Sequence, residues 1–139
     1  MSKNDFEEKV NRFMVKIVPE KAEASIRKIA MACYQRIQEI SPVDEGTFRA
    51  NWMVAFGTIR REFDDSLKLE DVATKTSEAM MMLADKQKLL GETIFICNSA
   101  PYALALEGGY GTPSSRQAPA GVVGPVVRII KAAIEAGRL

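Results

Sequence analysis

Histidine is absent from the 139 residues, and cysteine occurs only twice, as Cys33 and Cys97. Without histidine, the chain lacks the commonest metal ligand and the commonest general base near neutral pH. The two cysteines stand far apart in apolar patterns, so the sequence contains no CxxC-type metal or redox motif. We therefore expect two small buried thiols in a reducing compartment, with no metal and no cofactor.

The chain also lacks an excess of charge of either sign. It has 19 Lys and Arg residues against 18 Asp and Glu residues, for a net charge of +1. A dedicated duplex-DNA binder usually carries a basic excess, because its affinity comes largely from neutralising phosphates. No apolar run approaches the roughly 20 residues of a membrane span, and the N-terminus has no signal-peptide pattern. These features indicate no membrane association and favour a protein of the cytoplasm, or of a particle assembled there.

The composition itself is that of an ordinary globular protein, with 47% hydrophobic and 27% charged residues. A compact chain of this size buries roughly two-thirds of the surface that its unfolded form exposes. We therefore expect one domain, residues 1–139, with one core.

The N-terminal region predicts helices whose apolar stripe changes face. At about 100° per residue, one narrow arc of the helical wheel contains Phe6, Val10, Phe13 and Ile17. The apolar residues between positions 26 and 40 fall on roughly the opposite side. Pro19 suits the first turn of a helix, so the simplest interpretation is two helices, at 4–17 and 19–40. The alternative is one helix whose halves are buried on opposite sides by different neighbours, which would itself indicate an oligomer.

The rest of the chain divides into shorter elements. Alternation between Phe48 and Phe56 is typical of a half-buried strand, and the TIFICN segment, apolar on both faces, predicts an internal strand. The predicted elements are a strand at 47–59, a helix at 69–90, a strand at 93–98, a short helix at 101–107, a loop at 109–119 and a C-terminal helix at 125–137 with Pro125 in its first turn. The fold class is α+β: a small mixed or mostly antiparallel sheet, on which the long N-terminal helical region, the middle helix and the C-terminal helix pack.

Catalytic constellations are weak. The Asp44-Glu45 and Asp64-Asp65 pairs are adjacent residues, whose side chains point in different directions and do not form an acid/base pair by themselves. The Gly-rich segment at 108–111 lacks the Lys-Ser/Thr of a phosphate-binding loop. We expect no catalytic residue, and we expect the function to lie in surfaces.

Two ordered strings, SPVDEGTFRANW at 41–52 and TIFICNSAPYALALEGGYGTPSSRQAPAG at 93–121, are distinctive. Together they resemble the neck or tail-completion (head-tail joining) proteins of long-tailed, lambda-like bacteriophages and their prophages. The chain departs from that pattern at 45–48, where Glu-Gly-Thr-Phe replaces the commoner Thr-Gly-Arg-Leu, and at the extra Gly124-Pro125. The matching residues are Ser41, Pro42, Val43, Asp44, Gly46, Arg49, Trp52, Asn98, Pro101, Tyr102, Ala103, Leu106, Glu107, Gly109, Gln117, Ala118, Pro119, Gly121 and Val122.

The resemblance implies a structural protein of the virion, assembled in the cytoplasm of the bacterial host. It implies a homo-oligomeric, sixfold ring between the head-completion (connector) proteins and the tail terminator or tail tube, through which DNA passes without specific recognition. The alternative is a small prophage-encoded nucleic-acid-binding or regulatory module, which rests on size and on scattered basic residues such as Arg60-Arg61. A small enzyme with an unfamiliar site is a third hypothesis.

Most motif residues are given structural roles. We expect Gly46 to permit a sharp helix-to-strand turn, Asp44 to bond backbone N–H groups there, and Trp52 to anchor the strand in the core. Asn98 and Pro101 should shape the strand-to-helix junction, with Tyr102 packed under it. Pro42, Arg49 and Glu107 are assigned to the same structural framework. The candidate interface residues are Tyr110, Arg116 and Gln117 in the 109–119 loop, and Phe6, Val10 and Phe13 in the first helix.

Overall fold

A computed structural model describes residues 3–12, 18–108 and 116–139. Their helices and strands form an α+β fold with an antiparallel sheet, so the predicted fold class is confirmed. In chain order the elements are α1 (Lys3–Arg12), α2 (Val18–Ile40), α3 (Thr47–Ala50), β1 (Met53–Phe56), a 3-10 turn (Leu69–Asp71), α4 (Val72–Asp85), β2 (Ile94–Cys97), α5 (Ala103–Leu106) and α6 (Val123–Glu135).

The long helix α2 is the centre of the fold. It packs against α4 on one side and α6 on another, while α4 also packs on β1. Its Tyr34 is fully buried and donates its hydroxyl to the carbonyl of Trp52 at 3.0 Å, which joins α2 to the start of β1. Burial raises the pKa of Tyr34 to about 12, so the hydroxyl remains a hydrogen-bond donor across the neutral range.

The sheet consists of β1 and β2, paired antiparallel in a register that sets Met53 opposite Cys97 and Phe56 opposite Ile94. Within the described residues β2 has β1 as its one strand neighbour, and all four of its residues are half-buried. The expectation of an internal strand at 93–98 is therefore wrong. Ile94 and Ile96 pack against the core, and all four residues of β2 are partly exposed.

The predicted strand at 47–59 is confirmed only at 53–56, because residues 47–50 form the short helix α3 and residues 57–59 are not in a strand. Phe48 and Trp52 are four residues apart, a spacing that places them on one side in both a helix and a strand. Their rings meet edge to face, with centroids 5.6 Å apart. Asn51 then closes the turn, since its Nδ2 donates to the carbonyls of Thr47 at 2.7 Å and Asp64 at 2.9 Å.

The predicted helix at 69–90 begins as the 3-10 turn and ends at Asp85, five residues early. Two side chains of α2 account for the early end. The Arg27 guanidinium donates to the carbonyls of Leu83 and Ala84, the last of them at 3.3 Å. The Glu23 carboxylate accepts the backbone N–H groups of residues 89 and 90, and the Leu89 side chain is buried. These contacts replace the hydrogen bonds that a longer α4 would have made.

The other boundaries differ from the predictions by a few residues. The strand at 93–98 and the short helix at 101–107 are each trimmed at their ends, and α6 starts two residues before Pro125, which lies in its first turn as predicted. Helix α2 matches the predicted 19–40. The predicted break near Val18-Pro19 is not at those two residues, because both belong to α2. Residues 13–17, the end of the first predicted helix, lie outside the described residues, as does most of the 109–119 loop. Cys33 and Cys97 are half-buried rather than buried.

Candidate assembly surfaces and a motif-lined cleft

The two distinctive strings of the sequence lie against each other in the fold. The side-chain amide of Asn98 donates to the carbonyl of Phe48 at 2.8 Å, and its Oδ1 accepts the N–H of Ala100 at 3.1 Å. Gln117 accepts the N–H of Val43 at 2.8 Å and donates to the carbonyl of Val43 at 2.6 Å. Residues separated by 50 and 74 positions are thus joined into one surface.

This surface contains an open cleft of about 460 Å³, which we call the aromatic cleft. Its aromatic lining consists of Phe48, Phe63 and Tyr102. The Tyr102 ring lies 6.0 Å from that of Phe48 and 6.3 Å from that of Phe63, perpendicular to the latter, and the side chain remains 42% exposed. The remaining lining comes from the motif segments and their neighbours: Pro42, Val43, Asp44, Glu45, Gly46, Thr47, Asp65, Lys68, Pro101, Leu106 and Gln117.

The charged residues of the cleft are mostly acidic. Lys68 donates to the Glu45 carboxylate at 2.8 Å, and this hydrogen bond raises the pKa of Lys68 and lowers the pKa of Glu45. Asp44 and Asp65 add two more carboxylates, so the cleft carries three acidic groups against one ammonium group. Burial raises the pKa of Tyr102, and the negative charge of Asp44 contributes in the same direction. The cleft therefore pairs an aromatic surface with a net negative charge.

The wall of the cleft depends on Gly46. This residue has φ +91, and a Cβ placed on it would lie 2.3 Å from the backbone nitrogen of Leu69, which no side chain tolerates. The predicted sharp turn at Gly46 is confirmed, but it leads from α2 into the short helix α3 and not directly into a strand. Asp44 lies exposed beside the turn. Gln117, rather than Asp44, forms hydrogen bonds with the backbone of this segment, at the N–H and the carbonyl of Val43.

Trp52 and Arg49 fix the segment that leads into β1. Trp52 is 6% exposed and donates its indole N–H to the Ser41 hydroxyl at 2.7 Å, so its predicted place in the core is confirmed. Arg49 donates to the carbonyls of Glu39 at 3.1 Å and Ser41 at 2.8 Å, which satisfies acceptors at the C-terminal end of α2. Pro101 and Tyr102 follow the Asn98 turn, and Tyr102 packs on aromatic rings of the cleft rather than fully beneath the junction.

Glu107 has a specific role that no local sequence pattern indicates. Its carboxylate accepts the N–H groups of Val122 and Val123 at 2.7 Å each and of Gly124 at 3.0 Å. These are the first, otherwise unpaired, donors of α6, whose own N-cap residue supplies no side-chain hydrogen bond. Burial alone would raise the pKa of Glu107, but the three backbone hydrogen bonds lower it below its usual value.

The second kind of surface consists of exposed apolar side chains on helices. On α1, two predicted interface residues, Phe6 and Val10, are 60% and 45% exposed. On α6 the apolar stripe is wider than the part that the core buries, since Val126 and Ile130 are buried while Val127 is 57% exposed. Arg116 is exposed. The other two candidate interface residues, Phe13 and Tyr110, lie outside the described residues.

Over residues 3–12, 18–108 and 116–139, no three His, Cys, Asp or Glu side chains are grouped so that they could hold a metal ion. Within the same ranges, no helix is both long enough and apolar enough to cross a membrane.

Comparison with known proteins found no matching family model, and neither the curated proteins nor the solved structures contain a significant match.

Proposed function

We propose that this chain is a structural virion protein of a tailed phage. It forms a neck or tail-completion ring that joins the tail to the DNA-filled head and continues the DNA channel between them. The proposal rests on the two motif strings at 41–52 and 93–121, whose order and separation resemble the head-tail joining proteins of lambda-like phages. The observation that carries it in three dimensions is that both strings line one solvent-accessible cleft. A cleft formed by the motif residues supports a role in binding a partner in addition to their role in folding.

The exposed apolar residues support the oligomeric part of the proposal. Phe6 and Val10 lie in successive turns on the same face of α1, where both remain in contact with water in the single chain. A sixfold ring would remove such side chains from water, at a gain of about 25 cal/mol per Å² of apolar surface. The partners of the ring would be the head-completion or connector proteins on one side and the tail terminator or tube on the other.

The overall charge of the chain supports the proposed role in a DNA channel. With a net charge of +1, the chain has little tendency to hold the phosphates of DNA that must slide through it. A strongly basic lining would retain DNA through counterion release, whereas a nearly neutral ring lets it pass.

In vitro complementation tests this function. Purified protein is added to extracts that contain separate heads and tails of the parent phage but lack this chain, and infectious particles are counted. The expected result is a large increase in particle number with the wild-type chain. Particles that form equally well without the added protein, or that fail to form with it, would contradict the proposal.

The same assay tests the 109–119 loop. We expect Tyr110→Ala combined with Arg116→Ala to leave the denaturation midpoint unchanged and to reduce the number of particles sharply. A doubly substituted protein with normal stability and full complementing activity would exclude this loop as a contact surface.

A further inference from the structure

The outer edge of strand β2 is the open edge of the small sheet. All four residues of β2 are partly exposed, whereas in β1 the residues Val54 and Ala55 are 1% and 4% exposed and α4 packs on the strand. We propose that β2 pairs antiparallel with β2 of a second copy, about a two-fold axis that passes through Phe95. This dimer belongs to the free protein, and it goes beyond the ring of the proposed function.

The register of the sheet fixes which backbone groups of β2 face outward. Gly57 donates its N–H to the carbonyl of Thr93 at 2.9 Å, so Thr93 occupies a hydrogen-bonded position of the ladder. These positions alternate along an antiparallel pair, so Phe95 also directs its N–H and C=O toward β1. The N–H and C=O groups of Ile94 and Ile96 therefore point away from β1. Within the described part of the chain, no group is hydrogen-bonded to the backbone of these two isoleucines.

The edge lacks the features that usually protect an open strand. A free edge presents backbone donors and acceptors that can pair with another strand, and natural sheets protect it with prolines, charged side chains or bulges. The TIFICN segment at 93–98 contains no proline and no charged residue, and its register with β1 is uninterrupted. The backbone groups of such an edge recognise an extended polypeptide, which identifies the class of partner.

Strand β2 is complementary to itself. With the axis at Phe95, Ile94 of one copy stands opposite Ile96 of the other, and each such pair exchanges both of its N–H···O bonds. The side chains of Ile94 and Ile96 pack on the core of their own chain, so Phe95 lies on the other face of the sheet. The two Phe95 rings then stand directly opposite each other, where aromatic cross-strand pairs stabilise a sheet.

Charge and symmetry are compatible with this pairing. The same register sets Glu92 opposite Asn98 of the second copy, so no like charges meet along the strand. A two-fold contact uses the same surface on both copies and stops at two, which closes the edge. In the resulting sheet β2 lies between two strands, the position that apolar side chains on both faces favour. Neighbours in a sixfold ring are related by a different rotation, so the ring uses other surfaces.

Disulfide cross-linking tests both the surface and the register. The two Phe95 residues form a non-hydrogen-bonded pair, whose Cα atoms lie about 4.5 Å apart and within reach of a disulfide. We expect oxidised Phe95→Cys to give linked dimers and no larger species on a denaturing, non-reducing gel. Thr93→Cys should link to the native Cys97 of the second copy, which stands opposite it. Glu92→Cys, at an exposed neighbouring position, should not exceed the unsubstituted chain.

The Thr93→Cys link can form only between copies. Within one chain, Thr93 and Cys97 are about 13 Å apart along the strand, which is too far for a disulfide. The denaturation midpoint of each reduced variant checks that the fold is intact.

A charge at position 95 provides a second test. Phe95→Lys and Phe95→Glu each set like charges opposite each other, so each variant alone should dimerise several-fold more weakly by analytical ultracentrifugation. A mixture of the two variants should recover the dimer, because the ammonium group then faces a carboxylate. Phe95 lies outside the core cluster, so both variants should fold. Met81→Lys, at a side chain 62% exposed on α4, is the control and should dimerise normally.

Hydrogen exchange tests the unsubstituted chain. The amides of Ile94 and Ile96 should exchange quickly in dilute solution and slowly at high protein concentration, whereas those of Phe95 and Cys97, which face β1, should be protected at both. A chain that stays monomeric at high concentration, or a dimer in which Ile94 and Ile96 exchange as fast as in the monomer, would overturn the inference. A mixture of Phe95→Lys and Phe95→Glu that dimerises no better than either alone would also contradict it.

The dimer and the proposed function fail separately. Dimerisation is measured on the purified chain, and complementation is measured with heads and tails. A wild-type chain that dimerises through β2 but restores no infectious particles supports the dimer and contradicts the ring, and a monomeric chain that restores them does the reverse.

Discussion

Gly46 occupies the tightest point of the turn between α2 and α3. Its φ of +91 is strained for any other residue, and an added Cβ would also collide with the backbone of Leu69. Gly91 has a similar φ of +84 but open space around the Cβ position. We therefore expect Gly91→Ala to lower the free energy of unfolding by about 1–2 kcal/mol, and Gly46→Ala to lower it further. Urea denaturation of the two variants measures the difference, and equal losses would contradict the collision.

Trp52 is the second residue for which we predict the effect of a substitution on stability. It is nearly fully buried and binds Ser41, while its own carbonyl accepts the hydroxyl of Tyr34. Truncating a buried aromatic side chain costs about 3–5 kcal/mol, so we expect Trp52→Ala to reduce stability by that amount. Tyr102→Ala, at an aromatic side chain 42% exposed, serves as the matched control and should cost clearly less. An unchanged midpoint for Trp52→Ala would mean that Trp52 contacts a partner rather than the core.

At the scale of elements, the fold depends on side chains that stabilise the ends of distant helices. Arg27 and Glu23 of α2 hold the end of α4 and the turn that follows it, Arg49 closes the end of α2, and Glu107 holds the start of α6. Arg27, Arg49 and Glu107 satisfy backbone acceptors or donors that a helix end leaves unpaired, and Glu23 binds N–H groups of the turn that follows α4. The elements are thus positioned by long-range hydrogen bonds as well as by core packing.

The hydrogen bonds of Glu107 should make the stability of the chain depend on pH. Its pKa in the folded chain lies below the ordinary value of 4.5, because three backbone N–H groups bind the ionised form. A group with a depressed folded pKa contributes its full stabilisation above the unfolded pKa and loses it as the pH falls through the folded one. We therefore expect the stability of the wild-type chain to decrease from about pH 4.5 downward, in part through Glu107.

The variant Glu107→Gln isolates that contribution. It should lower stability near neutral pH by about 1 kcal/mol, the usual effect of losing a helix N-cap, and should weaken the decline at acid pH. Glu135→Gln, at the exposed opposite end of α6, is the matched control and should preserve both. Thermal denaturation followed by circular dichroism from neutral to acid pH measures the two profiles. Parallel profiles for wild type and Glu107→Gln would contradict the assignment.

At the scale of the whole molecule, assembly should be separable from folding. Phe6→Ser combined with Val10→Ser alters two exposed side chains, so the stability of the single chain should change by no more than about 0.5 kcal/mol. We expect the same variant to form no oligomers larger than a dimer, as measured by analytical ultracentrifugation, and to lose complementing activity. Met81→Ser, at an apolar side chain 62% exposed on α4, is the control and should retain both. Normal assembly by the double variant would exclude α1 as a contact surface.

The near-neutral charge of the molecule leads to a prediction about DNA. We expect no shift of duplex DNA in an electrophoretic assay at moderate salt, because the chain has almost no net charge with which to displace counterions. The alternative of a nucleic-acid-binding module predicts a clear shift that weakens as the salt concentration rises. A shift that Arg60→Gln combined with Arg61→Gln abolishes would favour that alternative.

Local patterns predicted those parts of the fold in which the nearest neighbours in sequence decide the structure. The stripe of α2, the paired strand at β2 and the proline in the first turn of α6 follow from periodicity and backbone restriction. The predicted strand at 47–59 is wrong at its start, because Phe48 and Trp52 fit the period of a helix as well as that of a strand. The end of α4 was misplaced because the groups that satisfy its backbone, Arg27 and Glu23, lie far earlier in the chain.

The sequence by itself determined the α+β class, the glycine at the turn, the buried tryptophan and the near-neutral charge, since each depends on residue type or on spacing within one segment. The tertiary structure decided what two distant segments create together. It brought Tyr102 to Phe48 and Phe63, and it set Gln117 on the backbone of Val43. No local pattern encodes such contacts, because they depend on how α2, α4 and α6 pack and on the chain closing loops of 50 or more residues. The aromatic cleft is a property of the packed molecule.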